Sequence, residues 1–96
     1  MTEFVVRYQR MPFNYTDAAQ MIIEADDASA AYATAWDRLT RSGVVMVEPM
    51  NLGALGVDKA KLIEYGIKYR GTSGTTQIIG IDEYKVKAPG RVLAGG

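Results

Sequence analysis

Apolar and polar residues alternate along two segments near the start of the chain. The first runs from Glu3 to Arg10 and the second from Ala18 to Ala25. Alternation with period two is typical of β-strands that bury one face. Pro12 lies between the segments, and proline cannot continue a central ladder. The pattern therefore predicts an antiparallel hairpin whose strands are joined by a long loop over residues 11–17.

The hydrophobic period changes to 3.6 after Asp26 and Asp27. Either aspartate can accept hydrogen bonds from the free amides at the start of a helix. Gly43 is suited to end the same helix because glycine tolerates the left-handed cap conformation. We therefore predict a helix from about Asp27 to Ser42. Its buried stripe comprises Ala28, Ala31, Tyr32, Ala35, Trp36 and Leu39.

The second half of the chain predicts three further strands. A short apolar strand over Val44–Glu48 ends at Pro49, and residues 50–58 are expected to form a loop or a brief turn of helix. Alternation from Leu62 to Arg70 predicts the next strand, with a short helix starting at Asp58 as the competing interpretation of its first part. Residues 71–74 are turn-forming, and Thr75–Val86 supplies the return strand.

The resulting order is β-β-α-β-β-β. An α+β fold follows, with a single, mainly antiparallel β-sheet and one helix packed on one face. The length of 96 residues is that of one ordinary domain. We expect residues 1–87 to form that domain and residues 88–96 to form a flexible C-terminal tail.

The chain contains no histidine and no cysteine, which excludes His/Cys zinc sites, Cys–His pairs and Ser–His–Asp triads. Two adjacent acidic pairs remain, Asp26–Asp27 and Asp82–Glu83, and we interpret them as a helix cap and an exposed strand edge. The Gly71–Thr75 segment lacks the Gly-Lys-Ser/Thr ending of a phosphate loop, so it predicts a hairpin turn. We therefore expect no enzyme activity, no metal and no cofactor.

Large apolar residues in the two predicted loops are the strongest functional signal. They are Met11, Phe13, Tyr15, Met50, Leu52 and Leu55. Exposed apolar patches mark partner surfaces, although such loops can also fold back over a small core. The favoured function is that of a small non-catalytic binding protein: an inhibitor, adaptor or assembly factor acting through a protein–protein surface. Homodimerisation through an exposed edge strand or these loops is a further expectation.

This profile is similar to that of small proteins of phages and other mobile elements, including those that block host defence complexes. The N-terminus lacks the pattern of a signal peptide, and no apolar run approaches the roughly 20 residues of a membrane span. We therefore expect a cytoplasmic protein, in a cell or an infected host, with no membrane partner.

Basic and aromatic residues alternate at three places, which favours single-stranded nucleic-acid binding as the alternative function. The cations are Arg7, Arg10, Lys68, Arg70, Lys85 and Lys87. Alternation sends the tyrosines and the cations to opposite faces of a strand, which places the rings in the core. Eleven basic residues also balance eleven acidic ones, so the net charge does not attract nucleic acid.

A second alternative comes from the C-terminus, where residues 91–96 end in Gly95-Gly96. A β-β-α-β order followed by a terminal Gly-Gly resembles the ubiquitin-like modifiers and sulfur-carrier proteins of the β-grasp type. The resemblance covers the element order and the last two residues. It implies a protein that acts through its C-terminal glycine.

Overall fold

The computed structural model describes residues 2–10, 18–49, 52–68 and 74–84. These residues form four strands, two α-helices and one 3-10 turn. In chain order they are β1 (Thr2–Arg10), β2 (Ala19–Ala25), α1 (Ala28–Arg41), β3 (Met46–Val47), the 3-10 turn (Gly53–Leu55), α2 (Lys59–Glu64) and β4 (Thr76–Glu83).

The strands form one mixed sheet in the order β2-β1-β4-β3. β1 lies between β2 and β4 and is antiparallel to both, which confirms the predicted hairpin of β1 and β2. β3 is parallel to β4, so the prediction of a mainly antiparallel sheet is wrong. The physical reason is the connection between them. A chain that returns through a helical crossover delivers a parallel strand, whereas a hairpin would deliver an antiparallel one.

That crossover contains α2, where a strand from Leu62 to Arg70 was predicted. Lys59–Glu64 is helical, and residues 69–70 lie outside the described part. The Asp58 side chain accepts a hydrogen bond from the Ala60 amide at 3.0 Å, which caps the helix start. The competing interpretation, a short helix starting at Asp58, is therefore confirmed. Over the described residues the order of α-helices and strands is β-β-α-β-α-β.

Helix α1 covers one face of the sheet and confirms the predicted stripe. Ala31, Tyr32, Ala35 and Leu39 are buried, and Trp36 is half-buried against the same core. The alanines allow the helix to lie close to the strands. The sheet contributes fully buried side chains opposite them: Val6 from β1, Ile23 from β2 and Ile78 from β4.

A β-bulge in β4 changes which of its isoleucines face the core. Arg7 of β1 pairs with Gly80 and Tyr8 pairs with Ile78, so Ile79 has no partner on β1. The extra residue shifts the side-chain alternation by one position. As a result Ile78 and Ile81 are both buried although they are three residues apart, and Ile79 is exposed.

Among the described helices, none is long and apolar enough to cross a membrane. The proposed division into a domain of residues 1–87 and a tail stays a prediction, because residues 85–96 lie outside the described part.

Candidate functional site

A groove of about 670 Å³ lies where α1, β3 and the segment after α2 meet. We call it the Trp36 groove. Its volume falls within the range of ligand pockets in proteins. The lining residues are Trp36, Thr40, Gly43, Val44, Val45, Met46, Gly66 and Lys68.

The first wall of the groove follows from the way α1 ends. The Gly43 amide donates to the Thr40 carbonyl at 3.1 Å, and the Val44 amide donates to the Leu39 carbonyl at 3.1 Å. Gly43 has φ +93°, the left-handed conformation that closes a Schellman motif. This cap turns the chain sharply from the helix into β3. Val44 and the residues after it are thereby set beside Trp36.

The second wall is produced by the same motif at the end of α2. The Gly66 amide donates to the Ile63 carbonyl at 3.0 Å, and the Ile67 amide donates to the Leu62 carbonyl at 3.1 Å. Gly66 has φ +80°. The two glycine caps therefore lie on the same groove, and each directs the chain that follows it along one side.

Contacts between the starts of the two helices hold α2 in place. Asp27 caps α1 by accepting from the Ala30 amide at 2.8 Å, and its other carboxylate oxygen accepts from the Lys61 ammonium group at 2.8 Å. The buried Ser29 hydroxyl accepts from the Asp58 amide at 2.9 Å. These contacts fix the position of α2 against α1. The position of the second groove wall follows from them.

The ion pair between Asp27 and Lys61 changes the titration of both groups. The hydrogen bond from Lys61 is the main reason that the pKa of Asp27 lies below its ordinary value, and the Ala30 amide adds to the effect. The hydrogen bond to Asp27 raises the pKa of Lys61 in the same way. These interactions stabilise the charged forms of both groups, and the two pKa values shift accordingly. This is expected for a helix cap that also forms an ion pair.

The groove lining combines aliphatic and aromatic side chains with a few polar groups. The Thr40 hydroxyl donates to the Trp36 carbonyl of its own helix at 2.9 Å. The Trp36 indole N–H is buried and meets no hydrogen-bond acceptor among the residues that the structure describes. Among the described lining residues, Lys68 is the one with a charged side chain. This arrangement is suited to receive an apolar group.

The predicted apolar loop residues lie partly within the described structure. Leu52 and Leu55 are half-buried and pack against the core around the 3-10 turn. Met11, Phe13, Tyr15 and Met50 lie outside the described residues. A partner surface made by these six residues stays a prediction.

The predicted nucleic-acid residues are spread over separate elements. Arg7 and Arg10 are exposed on β1, and Lys68 is exposed after α2. Arg7 forms an ion pair with Asp82 at 2.6 Å, while Tyr8 packs against the core. The remaining three cations, Arg70, Lys85 and Lys87, lie outside the described residues, as do Gly95 and Gly96.

One aspartate of each acidic pair has an identified structural partner. Asp27 caps α1 as predicted, and Asp82 holds Arg7 across the sheet. Within residues 2–10, 18–49, 52–68 and 74–84, no group of three or more acidic side chains is placed to hold a metal ion.

Sequence reasoning missed the Trp36 groove because it assigned Trp36 to the core stripe and Val44–Met46 to a strand. The sequence contained one signal for this site. A tryptophan near the C-terminal end of an amphipathic helix requires a partner for its N–H when buried, and its assignment to the core stripe left that group unaccounted for.

Comparison of the chain with protein-family models, with curated proteins and with solved structures gives no significant match.

Proposed function

We propose that this protein is a small non-catalytic binding protein that engages another protein through the Trp36 groove. The observation that carries the proposal is the groove itself, with an aromatic and aliphatic lining between two glycine caps. Protein interfaces concentrate binding energy where an aromatic or aliphatic side chain of one partner fills a pocket of the other. The function of an inhibitor, adaptor or assembly factor can rest on such a site and needs no reactive group.

The rim of the groove supports a protein partner over a small polar substrate. Val45 lines the groove and is 37% exposed, so an apolar side chain there faces solvent in the free protein. Lys68 supplies a single charge beside it. A small polar substrate would need several placed polar groups for orientation. An apolar anchor residue of a protein partner needs only a shaped apolar wall with a polar rim.

The proposal is tested with one groove variant and one matched control. Val45→Asp places a carboxylate at the groove, and Ile79→Asp places one at a β-branched residue of β4 with similar exposure, 40%. Tagged wild-type and variant chains are incubated with lysate of the source cells, and the retained proteins are quantified by mass spectrometry. Thermal unfolding confirms that both variants remain folded.

We expect a protein that is retained by the wild-type chain and by Ile79→Asp but lost with Val45→Asp. Truncating or charging an anchor contact typically weakens binding about tenfold or more. Direct binding of the purified partner to the three chains then measures the loss. Equal retention by all three chains would show that the groove is not the binding site, and no specific retention at all would contradict the proposed function.

A further inference from the structure

Strand β2 forms one edge of the sheet. In the part of the chain that the structure describes, β2 pairs with β1 on one side and with no strand on the other. Edge strands are usually protected by charged side chains, above all lysine, or by proline, a bulge, a short length or a covering segment. β2 spans seven residues, contains no lysine, arginine or proline, and pairs with β1 in an unbroken register. Its one charged side chain is Glu24, so within the described residues this edge is open to pairing.

The direction of the free backbone groups on β2 follows from one hydrogen bond at the other side of β1. The Glu3 carbonyl accepts from the Tyr84 amide at 2.7 Å, so Glu3 turns its backbone groups toward β4. Successive residues of a strand turn them to opposite sides, so Phe4 turns toward β2, where its register partner is Ile23. The residues of β2 that turn their N–H and C=O groups to the free edge are then Gln20, Ile22 and Glu24.

The side chains of these same three residues lie on the sheet face opposite α1. All three are exposed, and Ile22 at the centre of the strand is 47% exposed. Gln20 and Glu24 flank it symmetrically, two residues away on each side. The strand thus presents an apolar centre between an amide and a carboxylate.

We propose that two copies of this chain form a symmetric dimer in which β2 pairs antiparallel with β2 of the second copy, with Ile22 opposite Ile22. In this register all seven residues of β2 are paired. The three outward-turned residues form bonded pairs, each of which exchanges two backbone hydrogen bonds. Gln20 lies opposite Glu24 of the second copy at both ends, where the amide can donate to the carboxylate.

The neighbouring registers that also match outward-turned residues are less favourable. Sliding the second copy's β2 in one direction to the next such register places Ile22 opposite Glu24 and Gln20 opposite Asp26. A shift the other way places Ile22 opposite Gln20 and Glu24 opposite Ala18. Only the register with Ile22 opposite Ile22 pairs two apolar side chains and also places the Gln20 amide opposite the Glu24 carboxylate. Cross-strand pairs of this kind determine the register of strands in sheets.

The dimer leaves the Trp36 groove free. β2 and β3 are the two opposite edges of the sheet, and the groove is built on the β3 side. Each dimer would therefore carry two grooves. Because the dimer surface is separate from the groove, the two proposals can fail independently.

Sedimentation velocity from low micromolar to near-millimolar concentration tests the dimer. The wild-type chain, of 10.5 kDa, should shift toward twice that mass as concentration rises, since a single edge strand makes a small interface. Ile22→Lys sets two ammonium groups against each other on the two-fold axis and should leave a monomer. Ile79→Lys, at an isoleucine of similar exposure on β4, should dimerise as the wild type does.

Charge variants test the register. Gln20→Glu places two carboxylates opposite each other at both ends and should weaken the dimer at least several-fold. Adding Glu24→Lys to that variant should restore it, because the charges then attract across the same pairs. In either shifted register the second substitution gives no such rescue.

Amide hydrogen exchange supplies a readout that does not depend on variants. The amides of Gln20, Ile22 and Glu24 should become more protected as concentration rises. A wild-type chain that stays monomeric throughout, a dimer that survives Ile22→Lys, or the absence of rescue would overturn the proposal.

Discussion

Leu62 and Ile63 are adjacent residues with opposite environments, and this contrast tests whether residues 59–64 form a helix. In α2, Leu62 is buried with 3% exposure, whereas Ile63 is 68% exposed. In the strand suggested by alternation, Ile63 would face the core together with Tyr65 and Ile67, and Leu62 would face away. Each residue is replaced by alanine.

The expected costs differ strongly. Leu→Ala in a core lowers the free energy of unfolding by about 2–5 kcal/mol, and the peripheral position of α2 allows partial collapse, so Leu62→Ala should cost about 2–3 kcal/mol. For a domain of this size that corresponds to a fall in Tm of about 10–20 °C. Ile63→Ala should change the free energy of unfolding by no more than about 0.5 kcal/mol, because the residue is exposed and alanine favours a helix.

Urea unfolding followed by fluorescence measures both variants, since Trp36 is the only tryptophan of the chain and packs on the core. Similar denaturant slopes would show that the same cooperative transition is compared. If Ile63→Ala destabilises the protein as much as Leu62→Ala, the helical assignment of this segment is refuted.

Two further predictions concern pH and nucleic acid. The pKa of Asp27 is lowered in the folded protein, so its contribution to stability is present above its ordinary pKa of 3.8 and is lost as pH falls through the folded value. Asp27→Asn should therefore lose less stability between pH 5 and pH 2 than the wild type in acid titrations monitored by circular dichroism. Asp26→Asn is the control. If Asp27→Asn loses as much stability as the wild type over this range, the reasoning is contradicted. The chain should not be retained on single-stranded DNA or RNA columns at low salt, because its net charge is zero and Arg7 is engaged by Asp82. Retention that falls steeply with salt would instead support the nucleic-acid alternative.

The hairpin and α1 could be predicted because their signals are local. The alternation of β1 and β2 and the 3.6-residue stripe of α1 each lie within one segment. Asp27 supplies the cap at one end of the helix and Gly43 at the other. No long-range contact is needed to recognise such elements.

The α2 segment shows where local patterns conflict. The alternation of Ile63, Tyr65, Ile67 and Tyr69 fits a strand. Asp58 and Gly66, however, are also the caps of a short helix. Capping hydrogen bonds together with burial of Leu62 against the core favour the helix. Periodicity over so few residues cannot separate the two.

The sequence by itself determined the α+β class, the hairpin, the helix α1 and the absence of histidine and cysteine chemistry. Tertiary structure decided the parallel pairing of β3, the bulge at Ile79 and the Trp36 groove. The reason is physical. Capping and periodicity depend on neighbours within a few residues, whereas strand direction and a groove depend on segments that are distant in sequence and meet only when the core is packed.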